Sequence, residues 1–156
     1  MKTNTFTKKL DGRGVRVAVV RARFNEKITD GLLHGCLKGL QECAVQKKNI
    51  NVVEVPGSFE IPFAANVLAK SEKYDVIIAL GAVIKGETKH DEYIANAVAY
   101  GITKVSVATG VPVIFGVITP NNLEQAIARA GNNKQNKGYE SAMSAIEMVQ
   151  MMNALR

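Results

Sequence analysis

The sequence predicts a three-layer α/β/α sandwich of flavodoxin-like type, with a four-stranded parallel sheet between two layers of helices. Apolar runs alternate with segments of helical periodicity along the chain, which is the order of βαβ units with right-handed crossovers. The strands are apolar runs rather than alternating patterns, as in parallel strands covered on both faces. A chain of 156 residues has the length of one domain and needs no disulfide or metal to complete its core.

Four strands and five helices follow from these patterns. The strands are predicted at residues 15–20, 51–55, 75–84 and 111–118. The helices are predicted at residues 25–44, 59–70, 89–103, 120–130 and 137–154. The pattern of the third helix continues toward residue 107. Pro62 is tolerated only in the first turn of its helix. Thr88 and Asp91 have the spacing of a capping box at the start of the third helix.

Ligands in open parallel sheets bind beyond the carboxyl ends of the strands. The candidate site is therefore predicted in the segments that follow Val20, Val55, Leu80 and Ile114. The segment after the third strand is the richest of these. Gly81 and Gly86 have the spacing of a phosphate loop, but Glu87-Thr88 stands where Lys-Ser/Thr is required, which excludes a nucleoside triphosphatase of that type.

Single residues at the strand ends allow two interpretations each. His90 is either a general acid/base beside a phosphate site at a helix N-terminus or a surface histidine. Phe24 either stacks on a flat ring or closes the edge of the core. Glu60 either accepts hydrogen bonds from a ligand or is a favourable first-turn acid. Arg129 either pairs with a phosphate or favours the C-terminus of its helix, and Lys137 either contacts an anion or is a solvated lysine at a helix start. His34 is interpreted as structural because no acidic or nucleophilic residue is near it in sequence.

The charge distribution does not favour nucleic acid. The net charge is +6, and residues 1–50 hold eleven Lys and Arg against four Asp and Glu. Such a basic half is compatible with nucleic acid, with an anionic substrate or with a solvated face. The positive residues are scattered, the chain has no Trp, and a stacking platform for single strands would need more aromatic rings. We expect no nucleic-acid partner.

The cysteines and the hydropathy pattern indicate a reducing compartment. Cys36 and Cys43 are seven residues apart in a predicted helix, which separates them by about 10 Å along the axis. Because bridged Cα atoms lie within about 7 Å, the two are predicted to stay reduced. No apolar run is long enough to span a membrane, and residues 1–15 lack the apolar region of a secretory signal. We expect a cytoplasmic protein without a membrane partner.

Six segments together resemble a known family. They are RFN at 23–25 with Ile28-Thr29, VPGSFEIPFAA at 55–65, residues 81–90 with Tyr93, residues 111–119, EQAIARAG at 124–131, and NKG at 136–138. In this order and at these intervals they resemble the 6,7-dimethyl-8-ribityllumazine synthase family, the penultimate enzymes of riboflavin synthesis. The similarity runs from about residue 15 to residue 154. Where many relatives have Thr and Arg, this chain has Ala82 and Lys85, and neither change removes a group implied in catalysis.

The resemblance implies a condensation of 5-amino-6-(D-ribitylamino)uracil with 3,4-dihydroxy-2-butanone 4-phosphate, without a metal or organic cofactor. It implies that His90 shuttles protons. The implied contacts to the pyrimidine and ribityl groups are Phe24, Ser58, Phe59, Glu60, Ala82, Val83, Ile84, Phe115 and Lys137. The implied contacts to the phosphate are Glu87, Thr88 and Arg129. Of these residues, Phe115, Arg129 and Lys137 would come from a neighbouring subunit.

The resemblance also implies a homo-oligomer. The family forms pentamers, some of which stack as decamers or close into shells of sixty subunits, and shell-forming relatives are associated with riboflavin synthase. The loop at 131–138 resembles that of shell-forming relatives. Residues 1–14 have no core of their own and are expected to pack on a neighbouring subunit as a tail of the single domain.

Two other function classes fit the same fold. A non-catalytic flavin- or nucleotide-binding module would use Phe24 and Phe59 and leave His90 without a role. A structural shell protein or receptor would keep the assembly and lose the chemistry. Replacement of His90 would separate the binding module from the enzyme, whereas the presence of Thr88, His90, Arg129 and Lys137 argues against the shell protein or receptor.

Overall fold

Four parallel strands form one sheet in the order β2-β1-β3-β4. The structure is a computed structural model that describes residues 9–156. The strands are β1 (Val17–Ala22), β2 (Ile50–Val55), β3 (Val76–Ala82) and β4 (Val113–Ile118). The register aligns Val17 with both Ile50 and Val76, and Ile77 with Val113. Every strand therefore ends at the same edge of the sheet.

Five helices cover the two faces of the sheet. They are α1 (Glu26–Glu42), α2 (Ile61–Lys70), α3 (His90–Thr109), α4 (Leu123–Ala130) and α5 (Lys137–Leu155), with short 3-10 turns at Lys47–Asn49 and Ser58–Glu60. Helices α1, α4 and α5 pack on the face that carries Val17 and Val19. Helices α2 and α3 pack on the face that carries Ala18 and Val20. The predicted three-layer α/β/α sandwich is confirmed.

Burial differs between the central and outer strands. Every residue of β1 and β3 is buried, because helices cover both faces of each strand. Strand β2 forms an edge of the sheet and is mostly exposed until its last residue, Val55. The central position of β3 therefore explains its continuous apolar sequence.

The first strand begins and ends two residues later than predicted. The sequence prediction ended it at Val20, because a charged residue follows an apolar run. In the structure Arg21 and Ala22 continue β1, and the Arg21 side chain is 4% exposed. Carboxylates of α1 and β2 lie against its guanidinium, which allows a charged residue inside the strand.

The helices begin close to their predicted first residues. Helix α3 begins at His90, one residue after the predicted start, and Pro62 lies in the first turn of α2 as expected. The predicted capping box of Thr88 and Asp91 is wrong: the N-cap is Lys89, and its side chain makes no capping bond. Helix α3 also ends later than predicted, at Thr109, where Gly110 adopts the left-handed conformation with φ of 71°.

Both cysteines are buried and free. They lie in the core on the α1 face, and burial raises the pKa of the Cys36 thiol to about 12. Thiolate formation is therefore suppressed at neutral pH. No helix among residues 9–156 is long and apolar enough to cross a membrane.

The described part of the tail contacts its own chain. Leu10 packs against the core on the α1 face, and the Gly12 N–H donates to the Cys43 carbonyl at 2.6 Å. The predicted contact of residues 1–14 with a neighbouring subunit falls partly on residues 1–8, which lie outside the described residues. It stays a prediction.

Candidate active site

A cavity of about 690 Å³ lies beyond the carboxyl ends of β1, β2 and β3 and beside the first turns of α3. Three of the four predicted segments contribute to it, whereas the segment after β4 does not line it. The predicted site residues that line the cavity are Phe24, Ser58, Phe59, Glu60, Ala82, Val83, Ile84, Thr88 and His90. The fold thus brings together residues that are up to 66 positions apart in sequence.

The turn between β1 and α1 presents Phe24 to this cavity. Asn25 adopts the left-handed conformation, with φ of 60°, and its Nδ2 donates to the Ala82 carbonyl at 2.9 Å. The Phe24 N–H donates to the Pro56 carbonyl at 3.0 Å. With its backbone held in this way, the Phe24 side chain is 71% exposed, and its ring can stack on a flat ligand.

The segment after β2 supplies a second aromatic ring and two polar groups. Glu60 Oε2 accepts a hydrogen bond from the Gly57 N–H at 2.9 Å, which closes the turn. Ser58 is buried, whereas Phe59 is 60% exposed. The two exposed rings, Phe24 and Phe59, line the same cavity, while Ser58 and Glu60 offer hydrogen-bonding groups to a ligand.

The end of β3 lies at the bottom of the cavity. Ala82 and Val83 are buried, and two of their backbone groups are already used within the chain. The Ala82 carbonyl accepts from Asn25, and the Val83 N–H donates to the Ile118 carbonyl at 2.9 Å. These two groups therefore already have partners before a ligand binds.

His90 is the first residue of α3 and is exposed to the cavity. Its backbone N–H donates to Thr88 Oγ1 at 3.4 Å. The first turn of a helix leaves backbone N–H groups without helical acceptors, which favours an anion at this position. An imidazole and a helix N-terminus thus lie side by side at the cavity.

Four predicted site residues do not line the cavity of their own chain. Glu87 is exposed and lies between the lining residues Gly86 and Thr88. Phe115 lies partly exposed on β4, which forms the other edge of the sheet. Arg129 is exposed in the last turn of α4, and Lys137 begins α5 with its Nζ 3.4 Å from Glu140.

Sequence reasoning assigned no role to several lining residues. Asn25 was part of a motif, but only the fold shows that its amide joins the β1–α1 turn to the end of β3. Asp91 was interpreted as a helix cap, yet it is half-buried and lines the cavity. Tyr93 and Ile94 extend the lining by one further helical turn. Helical periodicity could have indicated this, because residues three and four apart share a face.

The described chain offers no metal centre at this place. Among residues 9–156, no three His, Cys, Asp or Glu side chains are grouped so as to hold a metal ion. The polar groups that line the cavity are suited instead to hydrogen bonding and proton transfer.

A parallel sheet with exposed aromatic rings and a histidine at its carboxyl edge is typical of α/β proteins that bind a small molecule. A comparison with known families agrees with this class: the model of the 6,7-dimethyl-8-ribityllumazine synthase family matches residues 14–153. Because this match spans nearly the whole chain, the chain belongs to that family. Its members are transferases of riboflavin biosynthesis, and the resemblance seen in the six sequence segments is confirmed.

Proposed function

We propose that this chain condenses 5-amino-6-(D-ribitylamino)uracil with 3,4-dihydroxy-2-butanone 4-phosphate to give 6,7-dimethyl-8-ribityllumazine, phosphate and water. The observation that carries the proposal is the single cavity that gathers Phe24, Phe59, Ser58 and His90. Its volume of about 690 Å³ falls within the usual range for small-molecule sites.

The pyrimidine fits the apolar part of the cavity. Stacking of an aromatic ring on a flat heterocycle is favourable, and Phe24 and Phe59 both expose their rings there. Ser58 and Glu60 then hold the ribityl hydroxyls and the polar edge of the ring, because a hydroxyl and a carboxylate accept hydrogen bonds from such donors.

The phosphate fits the first turn of α3. Thr88 supplies a hydroxyl, and the backbone N–H groups at the start of this 20-residue helix favour a negative charge. Arg129 would complete the phosphate site as a bidentate donor. It is exposed and lies outside the cavity of its own chain, so it would be supplied by a neighbouring subunit, together with Phe115 and Lys137.

The chemistry needs alignment and proton transfer. The nucleophile is the substrate's own amine, which attacks the ketone carbon and forms an imine as water leaves. Loss of a proton from carbon then breaks the C–O bond to phosphate, and attack of the second amine closes the ring as another water leaves. His90 carries these protons, because its imidazole can both accept and donate a proton and lines the same cavity. Alignment of the two reactants contributes about 7–11 kcal/mol to such reactions.

The oligomer follows from the shared site. Family members assemble as oligomers, and for this chain we propose a homopentamer with one site at each interface, which could stack as a decamer or close into a sixty-subunit shell. Riboflavin synthase would be a partner of the shell form. The cytoplasm remains the predicted compartment, because both cysteines are unpaired.

Replacement of His90 tests the proposal, with His34 as the matched control. His34 is exposed on α1 and does not line the cavity. We expect His90→Ala to lower the turnover number by about 10²-fold and to leave the affinity for the pyrimidine nearly unchanged. His34→Ala should match the wild type. Equal turnover of the two variants would remove His90 from the mechanism and favour a binding module.

A further inference from the structure

Arg21 is a buried cation that the proposed chemistry does not use. It lies near the end of β1, with its side chain on the α1 face of the sheet. Its Nη1 is 2.6 Å from Glu54 Oε1 on the neighbouring strand β2. Its Nη2 is 2.6 Å from Asp30 Oδ1 on α1, and its Nε donates to Thr29 Oγ1 at 3.3 Å. One guanidinium therefore connects three elements.

This connection fixes the relative position of the elements more than it stabilises the fold. Glu54 and Asp30 remain half-exposed, so water still solvates both carboxylates. Among the residues that the structure describes, Nη2 has no acceptor in hydrogen-bond orientation, and its contact with Asp30 is an ion pair only. An apolar side chain could fill the same space without the cost of desolvating a charge. What an apolar residue could not do is fix β2 and α1 relative to each other.

The elements that Arg21 connects carry one side of the cavity. Phe24 and Asn25 lie between Arg21 and the first turns of α1, and Asn25 is in the left-handed conformation. Strand β2 leads directly into Pro56, whose carbonyl accepts from the Phe24 N–H at 3.0 Å. If α1 moves relative to β2, the Phe24 ring moves with the turn.

We propose that Arg21 is a positioning residue for the pyrimidine substrate: its ion pairs with Glu54 and Asp30 hold the turn that presents Phe24. This inference rests on the proposed function. The phosphate-binding groups on α3 are outside this network, so Arg21 affects one substrate and not the other.

Arg21→Gln tests the proposal, and Arg16→Gln is the matched control. Arg16 precedes β1 at the amino ends of the strands, whereas the cavity lies at their carboxyl ends. It also forms an ion pair, with its Nη2 2.7 Å from Asp75 Oδ1. Titration calorimetry with the pyrimidine substrate alone measures its binding without turnover. We expect Arg21→Gln to weaken this binding by about tenfold or more, because small misplacements of a site are costly. The KM for the phosphate substrate should change little.

A purely structural role would give a different result. It would lower the melting temperature and either leave both substrates unaffected or weaken them equally. Arg21→Lys should restore only part of the pyrimidine affinity, because it keeps the positive charge but lacks the planar fork that reaches Glu54 and Asp30 together. If Arg21→Gln does not fold, Glu54→Gln removes only the β2 arm of the connection and should weaken pyrimidine binding in the same selective way.

Hydrogen exchange provides a measurement that does not depend on substrate. The Phe24 amide is protected by its bond to Pro56, and we expect it to exchange faster in Arg21→Gln than in the wild type or in Arg16→Gln. Unchanged exchange would overturn the positioning role. Failure of the wild type to bind the pyrimidine would instead refute the proposed function, and the exchange rates would still decide whether Arg21 holds the turn.

Discussion

Gly81 lies on β3 and packs against Ser58, the buried hydroxyl of the candidate site. A Cβ at Gly81 would clash with Ser58 Oγ and lie 3.2 Å from Ile61 Cδ1. The predicted strand at residues 75–84 includes Gly81, and the structure places this residue within β3. Its function is to leave room for the Ser58 side chain.

We therefore expect Gly81→Ala to displace Ser58 and weaken pyrimidine binding by about tenfold. Gly86→Ala is the control, because a Cβ at Gly86 would meet no atom within 4 Å although Gly86 also lines the cavity. Calorimetric titration of both variants with the pyrimidine gives the comparison. Equal affinities would show that the Ser58 position is not required for binding.

For single residues, the sequence predicted which residue types lie at the site better than it predicted the contacts that they make. Phe24 and His90 could be selected because they follow strand ends and belong to the motifs of the family, although each residue taken alone allowed two interpretations. The partners of Asn25 and Arg21 could not, since Ala82 and Glu54 are distant in sequence and the hydrogen bonds exist only in the folded sheet.

The junction of α1 and α5 depends on Asn136. Its Oδ1 accepts from the Gly138 and Tyr139 N–H groups at the start of α5, at 2.8 and 3.2 Å. Its Nδ2 donates to the carbonyls of Gly31 and Gly131, each at 2.9 Å. One buried side chain therefore caps α5, holds the preceding loop and joins both to α1, and it also fixes the start of the helix that carries Lys137.

We expect Asn136→Ala to lower the free energy of unfolding by about 2–4 kcal/mol, because it removes a helix cap and leaves buried carbonyls unpaired. The control is Asn133→Ala, which removes one exposed bond to the Gln135 N–H and should cost about 0.5 kcal/mol or less. Urea unfolding at a fixed subunit concentration measures both. Equal urea midpoints for the two variants would contradict this role of Asn136.

Element order was predictable because each strand is a distinct apolar run. Strand β3 (Val76–Ala82) lies within the almost wholly apolar run predicted as a strand at residues 75–84, and its central place in the sheet explains that composition. The end of β1 was not predictable, since the ion pairs that tolerate Arg21 inside a strand come from α1 and β2. The end of α3 was missed because Gly110 was not considered as its stop signal.

At the scale of the whole molecule, one chain holds only part of the proposed site. His90 lines the cavity, whereas Arg129 lies in α4 on the other face of the sheet from α3. Closed rings of identical subunits solve this problem by placing the same two surfaces together at every interface. Sequence could suggest this arrangement only through the family resemblance.

Complementation between inactive variants tests the shared site. His90→Ala and Arg129→Ala should each be nearly inactive alone. Co-expressed in one cell at equal levels, they should form mixed rings in which about one interface in four carries both native residues. We expect turnover to recover toward that fraction of the wild-type value. Activity no greater than the average of the two separate variants would contradict a site that takes His90 and Arg129 from different subunits.

The most direct test of the central claim is the turnover of the purified wild-type protein. Lumazine absorbance and free phosphate are followed after both substrates are mixed, with and without the protein. We predict that the protein accelerates the condensation over the unaided reaction and releases one phosphate for each lumazine formed. A folded oligomer that binds the pyrimidine but gives no acceleration would contradict the account and leave the binding module as the better description.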